Sequence, residues 1–456
     1  MFTAVEADTP TSEVLYSSSI NPQWVRLLNT LQMNVRYRRC EGAVLHTEEG
    51  RRIVDFLSGY CVHNAGHNHP VIVQALKDEL DRKGPAMLQS HVPELAGELA
   101  SKLCHRAGGR LTKAFFASSG SEGVEAAIKF ARATTKRTAL LSARGAFHGL
   151  TCGALSLMDD PFWKSGFGPL LGQTETVAFG NLTELEEQLS TRQFAAFIVE
   201  PVQAEAGILV PPDGYLKAAG DLCRKYDSLF VLDEVQTGLY RTGQFLASQH
   251  FDGVDPDMVV LAKALSGGLI PVSALLMTDR VYASVFTSLK RSIVHTSTFS
   301  ENGMSMRAGL ATLAVLEDEN LGERATVMGA LLRQRLTASL SGFEMVKGVV
   351  GLGLLNGIQF QVPKSMKLRV GYEAFKAIHP GMFGQVVVMR LFRDHGFLTQ
   401  MCGNNFMTLK AAPPLVVDEA DVDGFVAAMG QVVYEMHHTT SFWTEALGLA
   451  RRVINV

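Results

Sequence analysis

Lys263 follows the apolar run Val259-Val260-Leu261-Ala262, and Asp233 closes another, Phe230-Val231-Leu232. An amine at a strand end can condense with an aldehyde to a Schiff base, and a strand-end carboxylate can keep a pyridine nitrogen protonated. Together they are what a pyridoxal 5′-phosphate (PLP) enzyme needs. Each residue alone has a bland reading, since lysine and aspartate are mostly exposed side chains near loops. The flanking motifs decide between the two.

The run Phe115-Phe116-Ala117-Ser118-Ser119-Gly120-Ser121-Glu122 passes from an apolar strand through a small-residue turn into a helical pattern. Free backbone N–H groups and the positive end of a helix converge at such a turn, which suits a phosphate. Ala146-Phe147-His148-Gly149 follows another apolar run and offers a ring that can stack on a flat cofactor. A serine-capped helix start and an ordinary core phenylalanine are the plain alternatives.

The elements that must position these residues alternate. Short apolar runs at 138–142, 195–199, 229–232 and 258–261 are bounded by Gly, Pro or charge, as strands buried on both faces of a parallel sheet are. Helix-patterned segments at 122–134, 181–189 and 214–226 lie between them. Ligands of such sheets gather beyond the C-terminal strand ends, where Asp233, Lys263 and Glu200 fall. The expected fold is α/β, with a large, mainly parallel-sheet, cofactor-binding domain over 70–325. A smaller α+β domain is formed by both termini, 1–69 and 326–436, with a hairpin over 43–57 turning at Glu49-Gly50. Residues 437–456 form a helical extension.

Length and composition agree with an enzyme of this kind. A chain of 456 residues exceeds one small core. With 42 basic and 45 acidic side chains the net charge is −3, so no nucleic-acid footprint is present. The six cysteines lack paired spacing and read as reduced thiols, Glu6 and Asp8 make the start unlike a secretory leader, and no metal-ligand spacing occurs. No apolar run reaches the roughly 18 residues of a membrane span. A cytoplasmic enzyme is expected.

Several blocks in order now establish a resemblance: Gly66-His67-Asn68-His69-Pro70, Ser119-Gly120-Ser121-Glu122, Phe147-His148-Gly149, Glu200-Pro201-Val202-Gln203-Ala204-Glu205, Asp233-Glu234-Val235-Gln236-Thr237-Gly238, Ala262-Lys263-Ala264-Leu265, His295-Thr296-Ser297-Thr298-Phe299 and Ala412-Pro413-Pro414-Leu415. From about 21 to 436 the chain resembles the class-III aminotransferases, the ornithine, acetylornithine and putrescine-like ω-amine branch of fold-type I PLP enzymes. The resemblance implies that Lys263 is the Schiff-base lysine and proton shuttle, with Asp233 as partner of the pyridinium nitrogen. It implies a cofactor set of Gly120, Ser121, Phe147, His148, Asp233, Gln236, Lys263 and Thr298. In that set Gly120 and Ser121 hold phosphate, Gln236 holds the phenolic oxygen and Phe147 stacks on the ring. Thr298 comes from a neighbouring subunit, so the implied assembly is a homodimer with shared active sites.

The implied substrate set is Tyr60, Leu150, Glu200, Glu205 and Lys410, for small-molecule amines and oxo-acids. Tyr60 stands at the pocket tyrosine of ornithine-type enzymes, and Glu205 at the acid that covers the carboxylate-binding arginine. That arginine's own place holds Lys410, a point charge without the bidentate fork. Leu150 replaces the arginine that pairs with the distal α-carboxylate of ornithine or acetylornithine. An unpaired carboxylate beside leucine would be costly, so the expected substrate is a diamine or an aldehyde on an apolar skeleton. Ser300-Glu301 replaces the usual Gly-Gly on the dimer side of the pocket. Ornithine or acetylornithine transamination is the nearest alternative, and an aminomutase or racemase of the same fold is another. Glu205 with a basic residue at 410 favours a two-substrate transaminase.

Beyond 439, Phe442, Trp443, Ala446, Leu447, Ala450 and Val453 recur at helical spacing. A helix docked on protein is the ordinary reading of such a stripe. The functional one is a weak membrane-surface contact, which would suit a lipid-like substrate. A distant resemblance of Asn21-Pro22-Gln23-Trp24 and of the Thr298-Phe299-Ser300-Glu301 block points to the branch that aminates hopanoid side-chain aldehydes.

Overall fold

The computed structural model describes residues 11–88, 90–377 and 381–454. Its centre is a seven-stranded sheet ordered Leu111–Ala117, Ser273–Thr278, Met258–Leu261, Leu229–Asp233, Phe194–Val199, Ala139–Ala143 and Thr174–Val177. The last five pair in parallel, whereas Ser273–Thr278 runs antiparallel to both of its neighbours. Phe194–Val199, Leu229–Asp233 and Met258–Leu261 are buried along their whole length, which is why they read as unbroken apolar runs. The fold is therefore α/β with a large, mainly parallel sheet.

Two smaller sheets flank it. Val44–Thr47 and Arg52–Asp55 form the expected hairpin, and Arg52–Asp55 also pairs in parallel with Phe397–Leu398 from far along the chain. Phe56, stacked on Phe425 at 4.1 Å, seals that junction of early and late segments. The third sheet is antiparallel, in the order Val346–Leu352, Leu355–Phe360, Asn405–Ala411, Gln400–Cys402. Helices Ser12–Ser19 and Pro22–Thr30 precede the hairpin, the second capped by Asn21, whose side chain accepts from Gln23 N and Trp24 N.

The C-terminal helix Thr440–Ile454 follows the docked reading of the tail. Phe442, Ala446 and Leu449 are buried against the chain's own core, and Trp443 Nε1 donates to Met436 O at 2.9 Å. Glu445 pairs with Arg390 and Arg393. Of the stripe, Phe442 and Ala446 are buried in the subunit's own core, and Trp443 and Leu447 pack partly buried against it. Ala450 and Val453 lie outside the described side chains. Among the described residues no helix is long and apolar enough to cross a membrane, and no group of His, Cys, Asp and Glu side chains could hold a metal ion.

Candidate active site

Strand ends and one helix start converge on a cavity of about 410 Å³ lined by Gly120, Ser121, Phe147, His148, Glu200, Asp233, Gln236 and Lys263. Helix Gly120–Thr135 begins at its rim with a capping box: Ser119 Oγ accepts from Glu122 N, and Glu122 Oε2 accepts from Ser118 N and Ser119 N. The cap satisfies the donors outside the helix and leaves Gly120 N and Ser121 N without an acceptor among the described residues. Gly149 closes tightly on this turn. A Cβ there would lie 2.0 Å from Ser121 Oγ, and its φ of +117° excludes most side chains, so only glycine lets the two motifs meet.

Asp233 is held from two sides, by Val235 N donating to Oδ1 (3.0 Å) and by His148 Nδ1 at 2.7 Å from Oδ2. Burial disfavours the His148 cation, but the hydrogen bond and charge of Asp233, with Glu200 nearby, outweigh it and leave the His148 pKa above its usual value. His148 Nε2 is buried without a partner. Glu200 accepts from Phe147 N at 3.2 Å, and burial pushes its carboxyl up to about 7. Phe147 meets Trp163 edge to face at 5.4 Å.

Lys263 follows the Met258–Leu261 strand with its backbone in the left-handed region (φ 48°), a conformation that persists only when the surroundings impose it. Its Nζ donates to Gln236 Oε1 at 3.1 Å, and burial pushes its pKa down. Gln236 Nε2 donates in turn to Glu205 Oε1 at 3.3 Å. Glu205 also accepts from Gly403 N at 2.7 Å and is ion-paired with Lys410, which is fully buried. Burial alone would raise the Glu205 pKa, but the Lys410 ammonium reverses it and holds the carboxyl below its usual range. Lys410 Nζ lies 5.3 Å from the centre of the Tyr60 ring.

Five expected positions do not line this cavity in a single chain: Glu205 adjoins it through Gln236, with Lys410 and Tyr60 behind Glu205, and Leu150 and Thr298 lie apart. Leu150 is 53% exposed and does not line it. Thr298 lines a second cavity, with Pro85, Met87, Leu88, His91 and Glu301. Trp163, Gly403 and Arg241 shape the site without having been singled out in sequence. They carry no local signal, because their partners come from distant segments.

The residues present fit PLP. Two unpartnered N–H groups at a helix start suit a phosphate dianion, a buried amine with a lowered pKa suits an aldehyde, and a strand-end carboxylate faces the same space. The fold and site thus define a fold-type I PLP-dependent transferase. The family model of aminotransferase class-III matches residues 28–433, and the chain belongs to that family. PigE, an aminotransferase of Serratia sp. (strain ATCC 39006), is 33% identical over 92% of this chain, which spans only 53% of PigE's length. Acetylornithine aminotransferase of Mycobacterium tuberculosis (strain ATCC 25618 / H37Rv) is 37% identical over 86% of this chain and 90% of its own. Among solved structures, a PLP-bound amine transaminase from an uncultivated Pseudomonas species superposes with a TM-score of 0.78 at 27% identity, covering 87% of this chain and 94% of that one. The protein is a PLP-dependent class-III aminotransferase.

Proposed function

We propose that the enzyme moves an amino group between glutamate or 2-oxoglutarate and a terminal primary amine or aldehyde whose far end bears no α-carboxylate. A diamine, or an aldehyde on a lipid-like skeleton such as a hopanoid side chain, fits that description. The observation that carries this reading is Leu150, an exposed apolar residue directly after Phe147, His148 and Gly149, which line the cavity that Leu150 itself does not. Likeness to an acetylornithine aminotransferase argues for the chemistry, and the missing cation argues against that relative's substrate.

When bound, PLP supplies an aldehyde that takes up the amino group and a ring that accepts the electrons released at the neighbouring carbon. Gly120 N and Ser121 N would hold its phosphate, with Thr298 of the partner subunit completing the cup in a homodimer. Phe147 would pack on the ring and Gln236 would hold the phenolic oxygen. Asp233, fixed by Val235 N and His148, would keep the ring nitrogen protonated. Lys263 Nζ, biased toward its neutral form by burial, takes the proton from the amine-bearing carbon and returns it one position away.

Glu205 neutralises Lys410 while the amine substrate is present and yields it to the carboxylate of glutamate. Lysine contributes a single charge there, so acceptor binding lacks the two-pronged geometry of an arginine. A pair built to alternate between an amine and a carboxylate has no use in a racemase or aminomutase, which supports the two-substrate reading. All six cysteines are free thiols, in keeping with a cytoplasmic enzyme.

The test is a single-turnover absorbance scan of PLP-loaded enzyme with putrescine, ornithine, acetylornithine, lysine and glutamate. Glutamate and putrescine should discharge the aldehyde absorbance, with acetylornithine slower by about tenfold or more, the discrimination expected of an unpaired charge. Leu150→Arg should reverse that preference. Acetylornithine reacting as fast as putrescine would remove the case for a carboxylate-free substrate. Turnover of one amino acid without net discharge, with glutamate inert, would make the enzyme an isomerase.

A further inference from the structure

Arg241 lies in the loop that leaves the strand of Asp233, yet its side chain is fully buried. Among the described residues no carboxylate pairs with it. A guanidinium has five N–H groups, and here five contacts receive them. Nε and Nη2 donate to Asn64 Oδ1 (3.1 and 2.5 Å), Nη2 also to Ser58 Oγ (3.1 Å), and Nη1 to the carbonyls of Leu354 (3.1 Å) and Pro413 (2.5 Å).

What this charge holds is unusual backbone. Ser58, Gly59, Tyr60 and Cys61 all lie in the left-handed region, with φ of 46°, 60°, 61° and 67°. Only the glycine takes that conformation without steric cost, and a run of four is not self-sustaining. Asp55 Oδ1 fixes its start by accepting from Leu57 N (2.8 Å) and Ser58 N (2.7 Å). From outside, Ser58 Oγ donates to Ala412 O at 2.7 Å while receiving Arg241. The turn carries Tyr60 to Lys410. Lys410 lies at the end of strand Asn405–Ala411, and Arg241 grips Pro413 two residues beyond that same end.

We infer that Arg241 is a positioning residue: its five hydrogen bonds lock the left-handed turn at 58–61 to the strand end at Pro413, so that the Tyr60 ring faces Lys410. The inference rests on the reading of Tyr60 and Lys410 as the side of the pocket that receives the substrate carboxylate. Neither residue touches Arg241 directly; the guanidinium acts through Ser58, Asn64 and Pro413. A lysine at 241 would keep the charge but bring three N–H groups to acceptors that now receive five.

The test uses PLP-loaded Arg241→Lys, with Tyr60→Leu and the double variant beside it. Two readouts are taken: KM and kcat for glutamate, and amide exchange at Val62 and His63, whose N–H groups bond Ser58 O at 2.7 and 3.0 Å. R241K should speed exchange at those two amides and raise KM about tenfold with kcat within about twofold, the pattern of lost binding and not of lost chemistry. Y60L should raise KM similarly, and the double variant should be no worse than either single change, since both remove one interaction. Unchanged exchange in R241K, or effects on KM that multiply in the double variant, would overturn the inference. If R241K speeds exchange while Y60L leaves every KM unchanged, the clamp stands and the substrate-side reading of Tyr60 is what fails.

Discussion

At the scale of single residues, the site is a set of charges kept out of water. Glu200 shows the consequence most plainly, because burial pushes its carboxyl up to about 7 and its one recorded hydrogen bond comes from Phe147 N. With the native pKa above that of the unfolded chain, the folded protein keeps a proton that the unfolded chain releases between about pH 4.5 and 7. Glu200 by itself therefore contributes a fall in stability as pH rises through that window, by about 3 kcal/mol at most. Burial lowers the pKa of His63 and His295 to about 4, and these contribute a rise between about pH 4 and 6.5, so the Glu200 part is read as a difference. In thermal melts of the cofactor-free protein across pH 4.5–8, Glu200→Gln should gain stability relative to the unaltered protein as pH rises. A difference that stays constant with pH would assign the dependence to other groups. Lys263 and Asp233 were legible in sequence because each is a chemically specific residue at the end of a continuous apolar run. Arg241 was not, because its acceptors come from Ser58, Asn64, Leu354 and Pro413 and no local pattern announces them.

At the scale of elements, strands showed through the sequence where burial on both faces makes them uniformly apolar. The direction of Ser273–Thr278 did not, since it is buried along its whole length like its parallel neighbours and its residues do not set it apart from them. Helix starts were legible where a cap is written in the residues, as at Ser119 and Glu122. Close helix approach is decided by glycine. Gly329, on helix Leu321–Leu340, faces the turn between two strands of the third sheet, and a Cβ there would lie 1.8 Å from Gly353 O. Gly353 has no room to retreat, because its own Cβ position is 2.4 Å from the Thr242 carbonyl carbon. Despite alanine's better helix propensity, Gly329→Ala should lower stability by about 1–3 kcal/mol through overpacking. The shift should appear as a lower urea midpoint with an unchanged m-value.

At the scale of the whole molecule, the C-terminal helix belongs to the subunit's core. Phe442→Ala removes a fully buried ring and should cost about 3–5 kcal/mol in chemical denaturation, and the intact protein should not co-sediment with anionic vesicles. The proposed shared site has its own signature. Lys263→Ala and Thr298→Ala subunits, each impaired alone, should regain activity when unfolded together and refolded, because one site of each mixed dimer then has both residues intact. No recovery would place the two residues in the same subunit's site.

By itself the sequence determined the class of chemistry: the blocks around Lys263, Asp233 and the helix start at Ser119 each lie within a dozen contiguous residues, and their order identified the family. The parallel sheet was determined with them, because strands buried on both faces leave a continuous apolar record. The pairing of Glu205 with Lys410 was implied by the resemblance, and only the tertiary structure decided that Arg241 reaches the turn bearing Tyr60 and which surface of the subunit the tail covers. The physical reason is the same in both cases. Amphipathic spacing and isolated charges report that a surface or an ion wants covering, but the group that covers it is chosen by the fold.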